Sequence, residues 1–241
     1  MINRRSIKIF VDFDGTITKQ DVGELMFLRF GDEIEARNII EKWRNDEITS
    51  RDTWRLLCKT VENFDPVVFD KFLDEIEIDP TFEPFVEYCE KNGFDIMVVS
   101  DGLDYYINHI LGKHGLSGLI TYTNRLHFDA DNNLHPSFPH TDEECIRCAN
   151  CKRNHIINHS SDEDYTVYIG DGYSDACPVQ FCDHVFAKHS LLKFCEINRI
   201  SFSPYNNFDD VIIKLDTLKD KKRLKKRHQA ELKRREVYLQ G

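Results

Sequence analysis

The chain has no run of apolar residues approaching the ~18 needed to cross a bilayer as a helix, although 41% of its 241 residues are hydrophobic. Its first residues, Met-Ile-Asn-Arg-Arg, lead straight into a strand pattern without an apolar signal-peptide core. These absences predict a cytoplasmic protein with no membrane partner. Positive charge is also outnumbered, with 32 Lys and Arg against 42 Asp and Glu. The formal net charge is −10, which argues against nucleic acid as the partner of the main body. What basic charge exists is concentrated. Residues 218–236 hold ten Lys or Arg against three Asp or Glu, a balance of +7 that leaves the remainder near −17. That stretch reads as an exposed basic helix, either docking on the acidic body or meeting an acidic partner or nucleic acid.

Two metal-binding patterns are incomplete. The eight cysteines come without a secretory context, so reduced thiols are expected rather than a disulfide framework. Cys145-x-x-Cys148-x-x-Cys151 has zinc-ligand spacing, with His140 as a candidate fourth ligand, but no second Cys-x-x-Cys pair accompanies it. Zinc ligation, a labile disulfide and structural thiols all stay open. The acidic turn Asp129–Asn133 lacks the Gly and Glu of a calcium loop, having Leu134 and His140 at those places. It reads as the tip of a hairpin between Arg125–Phe128 and Leu134–Phe138. His155 and His159, four apart on a helix, read as surface residues.

What is present centres on Ile7–Thr16. A mostly apolar run through Val11 leads into Asp12-Phe13-Asp14-Gly15-Thr16. Such a run fits a buried parallel strand. Open α/β sheets bind ligands beyond the carboxyl ends of their strands, where Asp12 and Asp14, two apart, are expected to converge. Close carboxylates repel unless a cation or proton intervenes, and a divalent metal with oxygen ligands suits them. Val22, Leu25, Met26 and Phe30, continued by Ile39, Ile40 and Trp43, have helical spacing. Ser50 reads as the N-cap of the next helix, and Asp65-Pro66 as a further helix start. Residues 17–78 therefore form an all-helical insert.

The pattern of strand, polar residue and Gly then recurs. Asp95–Ser100 is an apolar strand before Asp101-Gly102, with a helix expected over Leu103–Leu111. Ser100 and the backbone N–H groups at that helix start suit a phosphate. A short strand is expected at Leu119–Tyr122. Lys152 follows the Cys segment. Thr166–Gly170 leads into Asp171-Gly172-Tyr173-Ser174-Asp175, and His184–Ala187 is a further strand. Leu191–Asn198 and Phe208–Leu215 read as helices.

In this order, Asp12-Phe13-Asp14-Gly15-Thr16, Ser100, Lys152 and Gly170-Asp171-Gly172-Tyr173-Ser174-Asp175 resemble the four motifs of the haloacid dehalogenase superfamily phosphatases, over about residues 6–215. The insert resembles the helical cap of the phosphoserine-phosphatase-like branch. Pro139-His140…Cys145…Cys148…Cys151-Lys152 resembles the methionine-salvage hydroxyketo-methylthiopentenyl phosphate phosphatases. The resemblance implies an α/β fold: a Rossmann-like core with a mainly parallel sheet (1–16 and 79–215), a cap (17–78) and a basic C-terminal tail (216–241). It makes Asp12 the nucleophile of an aspartyl-phosphate mechanism and Asp14 the general acid and base. It assigns Mg²⁺ to Asp12, the Asp14 backbone carbonyl and Asp171, and the phosphoryl group to Thr16, Ser100, Asp101, Gly102 and Lys152. Asp175 would orient Lys152 or sit behind the metal. The expected substrate is a small phosphorylated metabolite. Phosphoserine is an alternative, with Glu24 and Arg51 or Arg55 as gripping residues. A binding protein using the acidic body or basic tail is a second alternative.

Overall fold

The computed structural model describes residues 6–219, 221 and 224–240. Met1–Arg5, with the leader expectation made on them, and residues 220, 222, 223 and 241 lie outside the described residues. The elements in order are β1 (Ile7–Val11), α1 (Val22–Phe30), α2 (Glu33–Arg44), α3 (Ser50–Lys59), α4 (Pro66–Glu75), α5 (Phe82–Asn92), β2 (Asp95–Leu103), α6 (Asp104–Lys113), β3 (Ile120–Phe128), β4 (Leu134–Ser137), α7 (Lys152–Asn158), β5 (Tyr165–Gly170), β6 (His184–Ala187), α8 (His189–Ile197), β7 (Ser203–Pro204), α9 (Phe208–Lys219) and α10 (His228–Gln240). The strands form a mostly parallel sheet in the order β4-β3-β2-β1-β5-β6-β7, the α/β arrangement expected. No described helix is long and apolar enough to cross a membrane.

The chain divides into two compact units. One runs through Asp12, resumes over Ile78–Val99 and continues from Lys152; the other comprises Phe13–Glu77 and Ser100–Cys151.

In the first unit, β1 lies between two parallel partners, with Ile9 opposite Ile96 of β2 and Val167 of β5. Ile9, Phe10, Val11 and all of β5 are buried, which is why these strands read as apolar runs rather than alternating ones. Phe82 and Phe85 of α5 meet Phe208 of α9 at ring-centroid distances of 4.9 and 5.0 Å. Gly93 closes α5 in the left-handed conformation, φ +67°, a stop open to Gly without a Cβ penalty.

The basic C-terminal stretch departs from expectation on one face only. Its α10 is exposed along much of its length, as expected, but one face is buried: Ala230 is buried and Arg234 is 5% exposed. Arg234 donates to the Phe181 carbonyl at 2.5 Å and the Thr166 hydroxyl at 3.2 Å, and pairs with Asp183 at 3.2 Å. Its docking on an acidic residue is as read; a buried guanidinium with three acceptors overrides the charge pattern. His155 is likewise buried, its ring stacked on that of His159, because it lies on the inward face of α7.

In the second unit, α1 and α2 are separate helices. Gly31 ends the first, and the Asp32 side chain caps the second by accepting the Glu35 N–H. Thr49, not Ser50, caps α3, accepting the Asp52 N–H. Asp65 caps α4 with Pro66 in its first turn, as expected. Phe30, Phe64, Phe69 and Phe72 form an aromatic core that also takes in Tyr105 of α6 and Phe128 of β3. The strand expected at 119–122 and the first hairpin strand are one continuous β3, paired antiparallel with β4. The Asp129 turn between them is satisfied internally: its carboxylate accepts from the Asp131 and Asn133 amides.

Candidate active site

Asp12 follows β1 directly, and its N–H continues the ladder to the Ile169 carbonyl at 2.9 Å. The carboxylate is 4% exposed. Lys152, the first residue of α7 and 2% exposed, donates to Asp12 Oδ1 at 2.6 Å, Asp175 Oδ1 at 2.8 Å and Ser174 Oγ at 3.0 Å. Burial alone would depress the Lys152 ammonium, but the Asp12 and Asp175 carboxylates hold its pKa well above the ordinary value. Burial, then the Asp175 charge, push the Asp12 carboxyl up, against the pull of Lys152.

Asp12, Asp171 and Asp175 offer ligand atoms within 4.8 Å of one another. Three carboxylates facing one ammonium leave an excess of negative charge in a largely buried place. Hard oxygen donors and uncompensated charge fit a divalent cation. The three are not equivalent. Asp175 Oδ1 already accepts from Lys152 and from the Tyr168 hydroxyl at 2.6 Å, and Oδ2 from the Asp171 and Gly172 amides at 3.0 and 3.1 Å. Its lone pairs are spent on holding Lys152 and the turn, which leaves Asp12 and Asp171 as the better ligands. Gly170 makes this possible, since a Cβ there would lie 2.4 Å from Asp175 Oδ2.

Asp14 does not join that group. The strand has ended at Val11, so side-chain alternation no longer governs its direction. In its own unit Asp14 Oδ1 accepts the Val22 N–H at 2.9 Å and Oδ2 the Tyr106 hydroxyl at 2.8 Å. Burial, then the Asp14 charge, push the Tyr106 phenol well above its usual pKa, so it stays a donor. Ser100 lies inside β2 rather than at a helix start; its Oγ accepts the Gly102 N–H at 2.9 Å and stands 3.5 Å from Asp14 Oδ2. The helix that follows begins after Leu103 without a side-chain cap. Thr16 is fully buried in the turn after Asp14. The Asp101 carboxylate accepts the Asn150 N–H at 2.7 Å and the Ser50 hydroxyl.

The zinc candidates do not assemble. Among the described residues the one group of His, Cys, Asp or Glu whose ligand atoms converge is the Asp12, Asp171 and Asp175 set. Cys145 and Cys148 are half-buried and Cys151 is buried. Backbone bonds hold their segment instead: the Cys151 N–H to the His140 carbonyl at 2.8 Å, and the Ser50 N–H to the Arg147 carbonyl at 3.0 Å. Sequence reasoning missed Tyr106, Tyr168 and Asn150. The two tyrosines read as ordinary apolar positions; Asn150, one residue before Cys151, carried no motif signal.

A family model described as Putative Phosphatase matches residues 7–194. The chain is 30% identical over 216 residues to 2-hydroxy-3-keto-5-methylthiopentenyl-1-phosphate phosphatase of Bacillus mycoides (strain KBAB4), covering 88% of this chain and 97% of that protein. It is 29% identical over 234 residues to Pdp3-interacting factor 1 of Schizosaccharomyces pombe (strain 972), covering 88% and 95%. Among solved structures, a phospho-aspartyl intermediate analogue of phosphoserine phosphatase superposes with a TM-score of 0.67 at 19% identity, covering 88% of this chain and 99% of the other.

Proposed function

Because the chain belongs to this phosphatase family, within the haloacid dehalogenase superfamily, we propose that it hydrolyses the phosphomonoester of a small metabolite with Asp12 as nucleophile. The observation that carries the reading is the buried ion pair of Lys152 with Asp12, backed by Asp175. An Asp12 oxygen forms a bond to phosphorus as the bond from phosphorus to the ester oxygen breaks. Asp14 gives its proton to the departing alkoxide, then takes one from the water that attacks the aspartyl-phosphate and frees Asp12 and inorganic phosphate. Tyr106 and the Val22 amide fix the direction of the Asp14 carboxylate.

Lys152 neutralises charge on the phosphoryl oxygens and is held in place by Asp175. The Ser100 oxygen accepts the Gly102 amide, and its hydroxyl proton, held only by a long 3.5 Å bond to Asp14 Oδ2, would turn to phosphate. Thr16 and the backbone around Asp101 and Gly102 complete the phosphate set. Mg²⁺ bound by Asp12, Asp171 and the Asp14 backbone carbonyl would offset the phosphate charge that repels an attacking carboxylate. Residues 17–78 serve as a cap, and the protein works in the cytoplasm.

Phosphoserine is less well supported. Of the candidate gripping residues, Glu24 pairs with Arg44 at 2.6 Å, Arg51 donates to the Ile146 carbonyl at 2.7 Å, and Arg55 lies over the Phe138 ring at 5.3 Å. A purely binding role leaves the complete set of catalytic-type residues without a use. The test is phosphate release from a panel of phosphomonoesters, including the methylthiopentenyl phosphate and phosphoserine, with Mg²⁺ and with EDTA. Mg²⁺-dependent turnover concentrated on one compound is expected. No release from any member would overturn the reading.

A further inference from the structure

The segment before Lys152 has no role in the chemistry above. Its most buried polar residue is Asn150, 1% exposed. The Asn150 side-chain amide donates both hydrogens to backbone: to the Ser100 carbonyl at 2.7 Å and the Tyr122 carbonyl at 2.9 Å. Its own N–H donates to Asp101 Oδ1 at 2.7 Å. The Ser50 hydroxyl takes the other Asp101 oxygen, and the Asn124 side-chain amide donates to the Asp101 carbonyl at 2.6 Å. The Ser100 and Asp101 carbonyls are therefore each gripped by a side-chain amide, and both Asp101 carboxylate oxygens are occupied. These groups lie on α3, β2, β3 and the Cys segment, all in one unit.

We propose that Asn150 is a positioning residue. It fixes the backbone of Ser100 and Asp101 so that the Ser100 hydroxyl and the neighbouring N–H groups meet the phosphoryl oxygens. This rests on the phosphate role proposed for Ser100–Gly102. Preorganised donors stabilise developing charge only when held in place before the reaction, and misplacement by about 1 Å can cost on the order of a hundredfold in rate. Asn suits the task because it has two hydrogens on one planar nitrogen, reaching two carbonyls at once. Buried carbonyls left without a partner would pull the strand end out of register. The arrangement also gives the Cys segment a use without metal: it is a strap that delivers Asn150.

The test compares wild type, Asn150→Ala and Ser50→Ala in Mg²⁺ buffer. It measures kcat and KM for p-nitrophenyl phosphate, affinity for orthovanadate by calorimetry, and circular dichroism for the fold. Vanadate mimics the trigonal-bipyramidal phosphoryl group and reports donor placement without turnover. In folded Asn150→Ala, kcat/KM is expected to fall at least tenfold and vanadate affinity to weaken by a similar factor. Ser50→Ala should show the same pattern at about threefold or more. A purely structural role would reduce the folded fraction and leave the vanadate affinity of the folded molecules unchanged. Folded Asn150→Ala with vanadate affinity within twofold of wild type overturns the proposal. If Asn150→Ala does not fold, Ser50→Ala decides on the same two readouts. Wild type that binds vanadate but turns nothing over would count against the phosphatase reading, while the variants' vanadate affinities still judge Asn150.

Discussion

The Tyr106 hydroxyl donates to Asp14 Oδ2 at 2.8 Å, and a Cβ placed on Gly102 would lie 1.9 Å from that same hydroxyl oxygen. The bond between α6 and the turn after β1 therefore depends on a position without a side chain. Tyr106→Phe should keep the fold and lower kcat about tenfold, the effect of loosening a general acid and base. Gly102→Ala should be more damaging. Combined with Tyr106→Phe, it should cost less than the two single losses together, because removing the hydroxyl removes the nearest clash. Steady-state kinetics on the three variants check this.

Asp12→Asn should abolish turnover, by about a thousandfold or more, while circular dichroism stays that of wild type. The amide keeps the shape of the carboxylate but cannot form the acyl phosphate. An active Asp12→Asn protein would remove Asp12 from the role of nucleophile.

The Asp12 and Asp171 carboxylates predict a metal-linked stability. Mg²⁺ at about a hundred times its dissociation constant should add about 2.7 kcal/mol to unfolding. Thermal melts with Mg²⁺ and with EDTA should differ for wild type. In Asp171→Asn the difference should largely vanish.

His184 predicts an acid-side slope. Burial first, then the charges of Lys214, Arg227 and Lys221, lower its pKa from 6.5 to about 4. The folded pKa lies below the unfolded one, so the unfolded chain takes up the proton first. Stability is complete above about pH 6.5 and falls as the pH drops toward 4, by up to about 3 kcal/mol from this residue. His184→Gln, which keeps a polar partner for Ser203, should flatten that part of the curve in urea titrations at pH 7 and pH 5.

Arg234→Met should destabilise the protein by about 3 kcal/mol, since it leaves Asp183 buried without its guanidinium. Pairing it with Asp183→Asn should recover part of the loss, as measured by denaturant unfolding.

Much of this molecule is legible in its sequence because local chemistry decided it. Apolar runs marked β1 and β5, and Asp65-Pro66 marked a helix start. Legibility ended where partners came from far along the chain. Arg234 looked like one more solvated charge until Asp183, 51 positions away, was placed beside it. Asp12 and Asp14 looked like a pair because a single residue separates them, yet the strand ends before either, and each has its own partners. The cysteines carried a ligand spacing, but spacing alone does not supply a fourth donor or a common centre. Ser50 misled by one position because two hydroxyl residues, Thr49 and Ser50, stand side by side and either could cap α3.

The buried Arg234 also sets an order of events at the ribosome. Synthesis delivers Thr166 and Asp183 well before the guanidinium that completes their bonding. Until then the nascent chain holds a carboxylate it cannot bury at low cost. A chain stopped short of residue 234 would carry that defect permanently. Residue 234 is thus as much a part of the β5–β6 bonding as the strands themselves, although it lies 51 positions beyond Asp183 in the chain.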